Sequence, residues 1–102
     1  MNRDVDIHVE AGGSGAATVT LRGELDVASV DSLEAAVAPV IAGGVERLVI
    51  DVSELRFADS SAIALWVRWA AAVEDLELRD PSPLLRTVVT SMGLSGRLKL
   101  AP

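Results

Sequence analysis

The feature that most constrains this 102-residue chain is a nearly uninterrupted apolar run close to its middle. Segment 48–52 reads Leu-Val-Ile-Asp-Val. Aliphatic and β-branched residues favour strands, and a run without alternation is typical of a strand that is covered on both faces. Such strands belong to parallel or mixed sheets, in which helices usually connect the parallel strands. We therefore expect an α/β domain with segment 48–52 at the centre of its sheet.

Two predicted strands precede this segment. Val5, Ile7 and Val9 alternate with polar residues, which is the period of a half-buried strand, and the alternation resumes over residues 17–22. The glycine-rich run 11–15 between them predicts a turn, so that the two strands form a hairpin. A short strand at 76–78 and a last strand or turn at 97–100 complete a mixed sheet of four to five strands.

Three helices are predicted between and after these strands. The first begins at Ser29 as N-cap and ends at Gly43–Gly44, although Pro39 counts against its last turn. The second runs from about Ser60 to Val73. The third follows Pro83, and Gly93 stops it; its apolar side is expected to hold Leu84, Leu85, Val88, Val89 and Met92. Right-handed connections place the helices mainly on one face of a single domain, residues 1–102.

Composition excludes several kinds of function. The chain has no cysteine, so disulfides, thiolate metal sites and thiol nucleophiles are absent. A formal net charge of −6 disfavours binding to nucleic acid and to anionic membranes, and it would favour a basic patch on a partner, although acidity also simply keeps a small domain soluble. The start of the chain does not resemble a secretory signal, and we expect a cytoplasmic protein without direct membrane contact.

Candidates for catalysis or metal binding are few. His8, the only histidine, falls on the polar side of the first strand and is interpreted as a surface residue. Glu24 and Asp26 could bind a hard cation, but turn chemistry explains both. Trp66 and Trp69 are interpreted as core residues, with a partner or dimer surface as the alternative. We expect neither an enzyme nor a cofactor or metal site.

The segment Asp59-Ser60-Ser61 stands where the second helix must begin. Asp and Ser are favoured N-caps, and capping alone would explain them. A hydroxyl at this position is also exposed beside free backbone N–H groups, and it can accept a phosphoryl group. Phosphorylation would add about two negative charges beside Asp59 and could abolish a contact without unfolding the domain.

Three motifs together resemble the STAS domain of the anti-sigma factor antagonist type. They are Gly-Glu-Leu-Asp at 23–26, the strand 48–52 followed seven residues later by Asp-Ser-Ser at 59–61, and Asp-Pro-Ser-Pro at 80–83 before Leu-Leu-Arg at 84–86 and Met-Gly-Leu at 92–94. The motifs span nearly the whole chain in the order of that family.

The resemblance implies a non-catalytic binding module that sequesters an anti-sigma factor with serine kinase activity and so regulates transcription. It implies that the partner phosphorylates Ser60 and then releases the domain. The partner-binding surface would comprise Asp26, Asp59, Ser60, Ser61 and Ile63. A weak homodimer is left open.

The chain departs from the family pattern after the two serines, where Ala62-Ile63-Ala64 replaces residues that are usually glycines around an aliphatic position. The added methyl groups could obstruct a closely approaching partner loop. The serine could then remain as a cap in a domain that is not phosphorylated, or the partner could be unusual. The alternative function is a soluble STAS subunit of a membrane lipid-transport complex, which assembles with its partners and needs no phosphate.

Overall fold

The computed structural model describes residues 5–13, 15–94 and 96–102. The strands are β1 (Val5–Ala11), β2 (Ala16–Leu25), β3 (Arg47–Ala58), β4 (Asp75–Arg79) and β5 (Lys99–Ala101), and the helices are α1 (Val27–Ala42), α2 (Ser60–Ala72) and α3 (Pro83–Ser91). This order confirms the predicted α/β domain. Ser14 of the predicted turn, and residues 1–4, lie outside the described residues.

The strands form one mixed sheet in the order β1-β2-β3-β4-β5. The first two strands are antiparallel, which confirms the predicted hairpin. The pairs β2–β3, β3–β4 and β4–β5 are parallel, so β3 is central as expected and β5 is an edge strand. Among the described helices, none has both the length and the hydropathy that crossing a bilayer requires.

The helices pack on one face of the sheet. Buried residues of all three helices join one core cluster with alternate residues of the strands, among them Val19, Leu48, Ile50 and Leu78. The other face carries charged side chains in ion pairs, such as Arg47–Glu77 at 2.9 Å. Val49 on this open face is still only 5% exposed, because it lies between Thr18 of β2 and Glu77 of β4. Neighbouring strands, and not a second helical layer, therefore cover it.

The tryptophans of α2 lie in the core. Trp66 is fully buried and Trp69 is 5% exposed, and both belong to the core cluster. Their spacing of three residues places them on neighbouring positions of one helix side, which faces the sheet. The core interpretation of both residues is confirmed.

The expected apolar side of α3 is partly wrong. Leu85 and Val89 are buried, whereas Leu84 is 70% exposed and Met92 is 52% exposed. Leu84 lies at the start of α3 and points about 100° away from Leu85, and no other element of the described structure covers that side of the helix, so Leu84 stays exposed while Leu85 is buried. Met92 lies beyond the last helical residue, where Gly93 with a φ of 71° turns the chain away.

Two boundaries also differ from the sequence-based expectation. Helix α1 begins at Val27 with Asp26 as its N-cap, and Ser29 is the third helical residue and not the cap. Strand β3 continues past residue 52 to Ala58, with register irregularities against β2. The extension is what carries the chain from the sheet centre to the start of α2.

Helix α1 runs through Pro39, which has no N–H to donate to the preceding turn. We expect Pro39→Ala to raise the free energy of unfolding by about 1–2 kcal/mol, since it restores a helical hydrogen bond and loses less through the greater freedom of the unfolded chain. Urea unfolding at pH 7 measures this difference. A destabilised variant would show that packing of the proline ring outweighs the lost hydrogen bond.

Candidate functional site

The site forms where two parallel strands end side by side. Leu25 of β2 is paired with Ala58 of β3, so the residues that follow, Asp26 and Asp59, begin α1 and α2 at the same edge of the sheet. The Asp59 N–H donates to the Leu25 carbonyl at 3.1 Å and ties the two strand ends together. The starts of two helices therefore meet at one place.

One carboxylate serves both helix starts. Oδ1 of Asp59 accepts from the backbone N–H groups of Ser61 at 3.0 Å and Ala62 at 3.4 Å, which caps α2. Its Oδ2 accepts from the N–H of Val27 at 3.0 Å, the first residue of α1. The hydrogen bond from the Ser61 hydroxyl, helped by these backbone donors, lowers the pKa of Asp59 against the opposing effect of burial. Asp59 is thus ionised at neutral pH, and its carboxylate connects the starts of α1 and α2.

Removal of the Asp59 carboxylate is expected to destabilise the domain. Asp59→Ala should cost about 2 kcal/mol at pH 7, because a lost N-cap costs about 1 kcal/mol and this side chain serves two helices. Asp59→Asn should cost less, since asparagine caps well but carries no charge. Denaturant unfolding of both variants measures the two differences.

The same variants test the pH dependence. The folded pKa of Asp59 lies below the ordinary value of about 3.9, so the stability that its charge contributes is present above that value and is lost as the pH falls through the lowered pKa. The gap between wild type and Asp59→Asn should therefore shrink from pH 7 to about pH 3. A gap that stays constant over this range would contradict the ionised cap.

Asp26 is engaged in the same way at α1. Its Oδ1 accepts from the N–H groups of Ala28 at 3.0 Å and Ser29 at 3.2 Å, and the Ser29 hydroxyl accepts from the Asp26 N–H at 3.0 Å. This is a capping box, and it places a second carboxylate at the positive end of a helix. Helix capping accounts for Asp26 without a cation, and no metal-binding cluster of three or more ligands occurs among the residues that are described.

The two serines after Asp59 have different surroundings. Ser60, the first residue of α2, is exposed, and within the described parts of the chain its hydroxyl makes no hydrogen bond. Ser61 is half-buried, and its hydroxyl donates to Oδ1 of Asp59. The hydroxyl of Ser60 is therefore presented to an approaching protein, whereas that of Ser61 is already held by the cap.

Ile63 does not lie on this surface. It was expected in the partner contact, but it is only 2% exposed, because the third helical position after Ser60 turns toward the sheet. Ala62 is fully buried as well, so its methyl group faces the core and cannot obstruct a partner loop. Of the two alanines that depart from the family pattern, Ala64 alone is exposed.

Large apolar side chains around the helix starts were missed by the sequence analysis. Val27 is 71% exposed, Phe57 is 50% exposed and Leu84 is 70% exposed. Phe57 and Leu84 line a cavity of about 190 Å³ between the end of β3 and α3. The sequence did place Phe57 close to the predicted start of α2, two residues before Asp59. It did not show that the Phe57 side chain is exposed, because that depends on how far β3 continues.

His8 lies elsewhere, on the open face of the sheet opposite Thr20. Its side chain is exposed, as expected, in a cavity of about 410 Å³ that Asp6 and Arg22 also line. It is therefore placed on the polar face and away from the helix starts.

The chain resembles one protein family and several proteins of known structure. The family model of the Mlab STAS domain matches residues 8–101. A search of curated proteins gave no significant match. Among solved structures, an anti-sigma factor antagonist from Mycobacterium paratuberculosis has a TM-score of 0.86 at 25% identity, and the match covers 96% of this chain and 86% of that chain.

The anti-sigma factor antagonist SpoIIAA matches in two forms. The unphosphorylated form has a TM-score of 0.81 at 25% identity, over 95% of this chain and 89% of that chain. The phosphorylated form, a Bacillus cell fate determinant, has a TM-score of 0.76 at 25% identity, over 95% and 92%. The resemblance drawn from the sequence motifs is confirmed. Since the family model spans nearly the whole fold, from β1 to β5, the chain belongs to the STAS domain family.

Proposed function

We propose that this chain is an anti-sigma factor antagonist whose binding is switched by phosphorylation of Ser60. The observation that carries the proposal is the contrast between the exposed, unbonded hydroxyl of Ser60 and the hydroxyl of Ser61, which Asp59 holds. The matched structures are of anti-sigma factor antagonists, which supports the class of partner. The partner is an anti-sigma factor with serine kinase activity.

The phosphoryl transfer itself needs nothing more from this chain than an accessible oxygen. In the partner's active site a bond forms between Oγ of Ser60 and the γ-phosphorus of ATP, the bond from that phosphorus to ADP breaks, and the hydroxyl proton passes to a base of the kinase. The chain contributes the position of Ser60 on a rigid helix start.

The surroundings of Ser60 explain how the phosphate would act. Two N–H groups that could neutralise a phosphate at the start of α2, those of Ser61 and Ala62, already donate to Asp59. Asp26 and Asp59 are both acidic and lie at the same strand ends. About two added negative charges would therefore remain mostly uncompensated, and a closely packed partner surface would have to bury them unpaired beside Asp26 and Asp59, which weakens binding while the domain stays folded.

The test is intact-mass analysis after incubation with ATP, Mg²⁺ and each purified anti-sigma factor of the source organism. Wild type and Ser61→Ala should gain one phosphoryl group, and Ser60→Ala should gain none. Peptide mapping then places the group. Modification of Ser61, or none with any of these kinases, would overturn the proposal.

The alternative lipid-transport function can be tested with the same protein preparation. It predicts an unmodified Ser60 and a stable complex with the ATPase subunit of a transporter. Copurification with that subunit, together with an unphosphorylated chain, would replace the antagonist function by the assembly function.

A further inference from the structure

A groove runs between the end of β3 and α3, close to the proposed phosphorylation site. We call it the β3–α3 groove. Buried Leu55 and Leu85 form its floor, and exposed Phe57 and Leu84 stand at its rim. Its volume of about 190 Å³ suits a side chain more than a small-molecule ligand.

The rim of the groove carries two large apolar side chains. Phe57 is 50% exposed and Leu84 is 70% exposed, whereas the other large apolar side chains of β3 are buried. Covering such area is worth about 25 cal/mol per Å². Neighbouring exposed apolar side chains on a groove are typical of an interaction surface.

The charge of the groove differs from that of the helix starts. Arg56 is the one charged residue that lines it, and this side chain has no ion pair within the described ranges. Arg86 and Arg97 make no ion pair in the described structure either, so Arg56 differs from them by its place in the groove. A partner that covers both places must therefore bring an acidic group to Arg56 and keep acidic groups away from Asp26 and Asp59.

The groove is continuous with the site of Ser60. Strand β3 ends at Ala58, which lines the groove, and the N-cap Asp59 alone separates it from Ser60, the first residue of α2. A protein that reaches the Ser60 hydroxyl therefore lies within a few residues of the groove. One partner surface can span both.

We propose that the β3–α3 groove is a second docking point for the same partner, and that it takes an apolar side chain flanked by an acidic residue of the anti-sigma factor. This inference rests on the proposed function. The groove holds the partner through contacts that are separate from the phosphorylated hydroxyl, so it determines affinity and the KM for phosphorylation, whereas Ser60 determines release.

The test uses the purified anti-sigma factor that phosphorylates Ser60. Leu84→Ser and Arg56→Glu should each weaken its binding by about tenfold or more in titration calorimetry, as is usual for a residue central to an interface. The same variants should raise the KM for phosphorylation. Matched controls are Met92→Ser and Arg86→Glu, which change exposed residues near α3 that do not line the groove, and both should bind like wild type.

The outcomes separate the two proposals. If wild type binds and is phosphorylated while Leu84→Ser and Arg56→Glu behave like their controls, the groove is not a docking point and the proposed function stands. If wild type neither binds nor is phosphorylated by any anti-sigma factor, the proposed function fails and takes this inference with it. Concentration-dependent dimers that Leu84→Ser abolishes in sedimentation equilibrium would assign the groove to a second copy and overturn the inference.

Discussion

Replacement of Trp66 by alanine is expected to lower the free energy of unfolding by about 3–5 kcal/mol, the largest stability effect that we predict for one side chain. Trp66 is fully buried between α2 and the sheet and is among the largest side chains in the core cluster. Domains of this size have about 5–15 kcal/mol of stability in total. Urea unfolding followed by far-UV circular dichroism should therefore show a severely destabilised protein.

Trp66→Phe is the matched variant. The Nε1 atom of Trp66 is buried and lacks a hydrogen-bond partner in the described structure, and an unsatisfied buried donor costs about 1–3 kcal/mol. Phenylalanine removes this donor while it keeps most of the apolar area. We expect Trp66→Phe to lose far less stability than Trp66→Ala. Equal losses in the two variants would show that the site tolerates no change of shape.

Replacement of Ser60 by aspartate is expected to weaken binding to the anti-sigma factor by about 10–100-fold, the largest functional effect that we predict. The added carboxylate lies next to Asp59 at the strand ends that also carry Asp26, so it reproduces part of the charge of a phosphate. A partner that packs closely on Ser60 would have to bury this carboxylate without a paired cation, which costs several kcal/mol, and one carboxylate carries only part of the charge of a phosphate. Titration calorimetry with the purified partner measures the change.

Ser60→Asn is the matched control, because it has the size of aspartate without the charge. It should bind within a few-fold of wild type. Since Ser60 is exposed, both variants should keep the free energy of unfolding within about 0.5 kcal/mol. Equal weakening by asparagine and aspartate would assign the effect to size, and the added charge would no longer explain the switch.

Much of the fold was accessible from local patterns. Alternation at Val5, Ile7 and Val9 predicted the first strand, and the apolar run 48–52 predicted the central one. The start of α2 after Asp59 was also predicted, because Asp and Ser favour helix N-termini whatever surrounds them. These features depend on residues that are close in the sequence.

The site could be predicted only in part. Asp26, Asp59, Ser60 and Ser61 do lie at the helix starts, but Ile63 lies in the core, and Phe57 and Leu84 were not expected on the surface. Periodicity shows which residues share a helix side. It does not show which helix side stays exposed when the helices cover only one face of the sheet. A nine-residue helix also has too few turns for its apolar side to be assigned from the pattern.

The sequence by itself determined the order of strands and helices and the place where α2 begins, since both follow from short-range backbone preferences and from the period of apolar residues. Only the tertiary structure decided that the Asp59 carboxylate joins the starts of α1 and α2. This contact forms because the pairing of β2 with β3 brings the N–H of Val27 to Asp59, 32 residues away. A contact over such a separation depends on strand register, which no local pattern specifies.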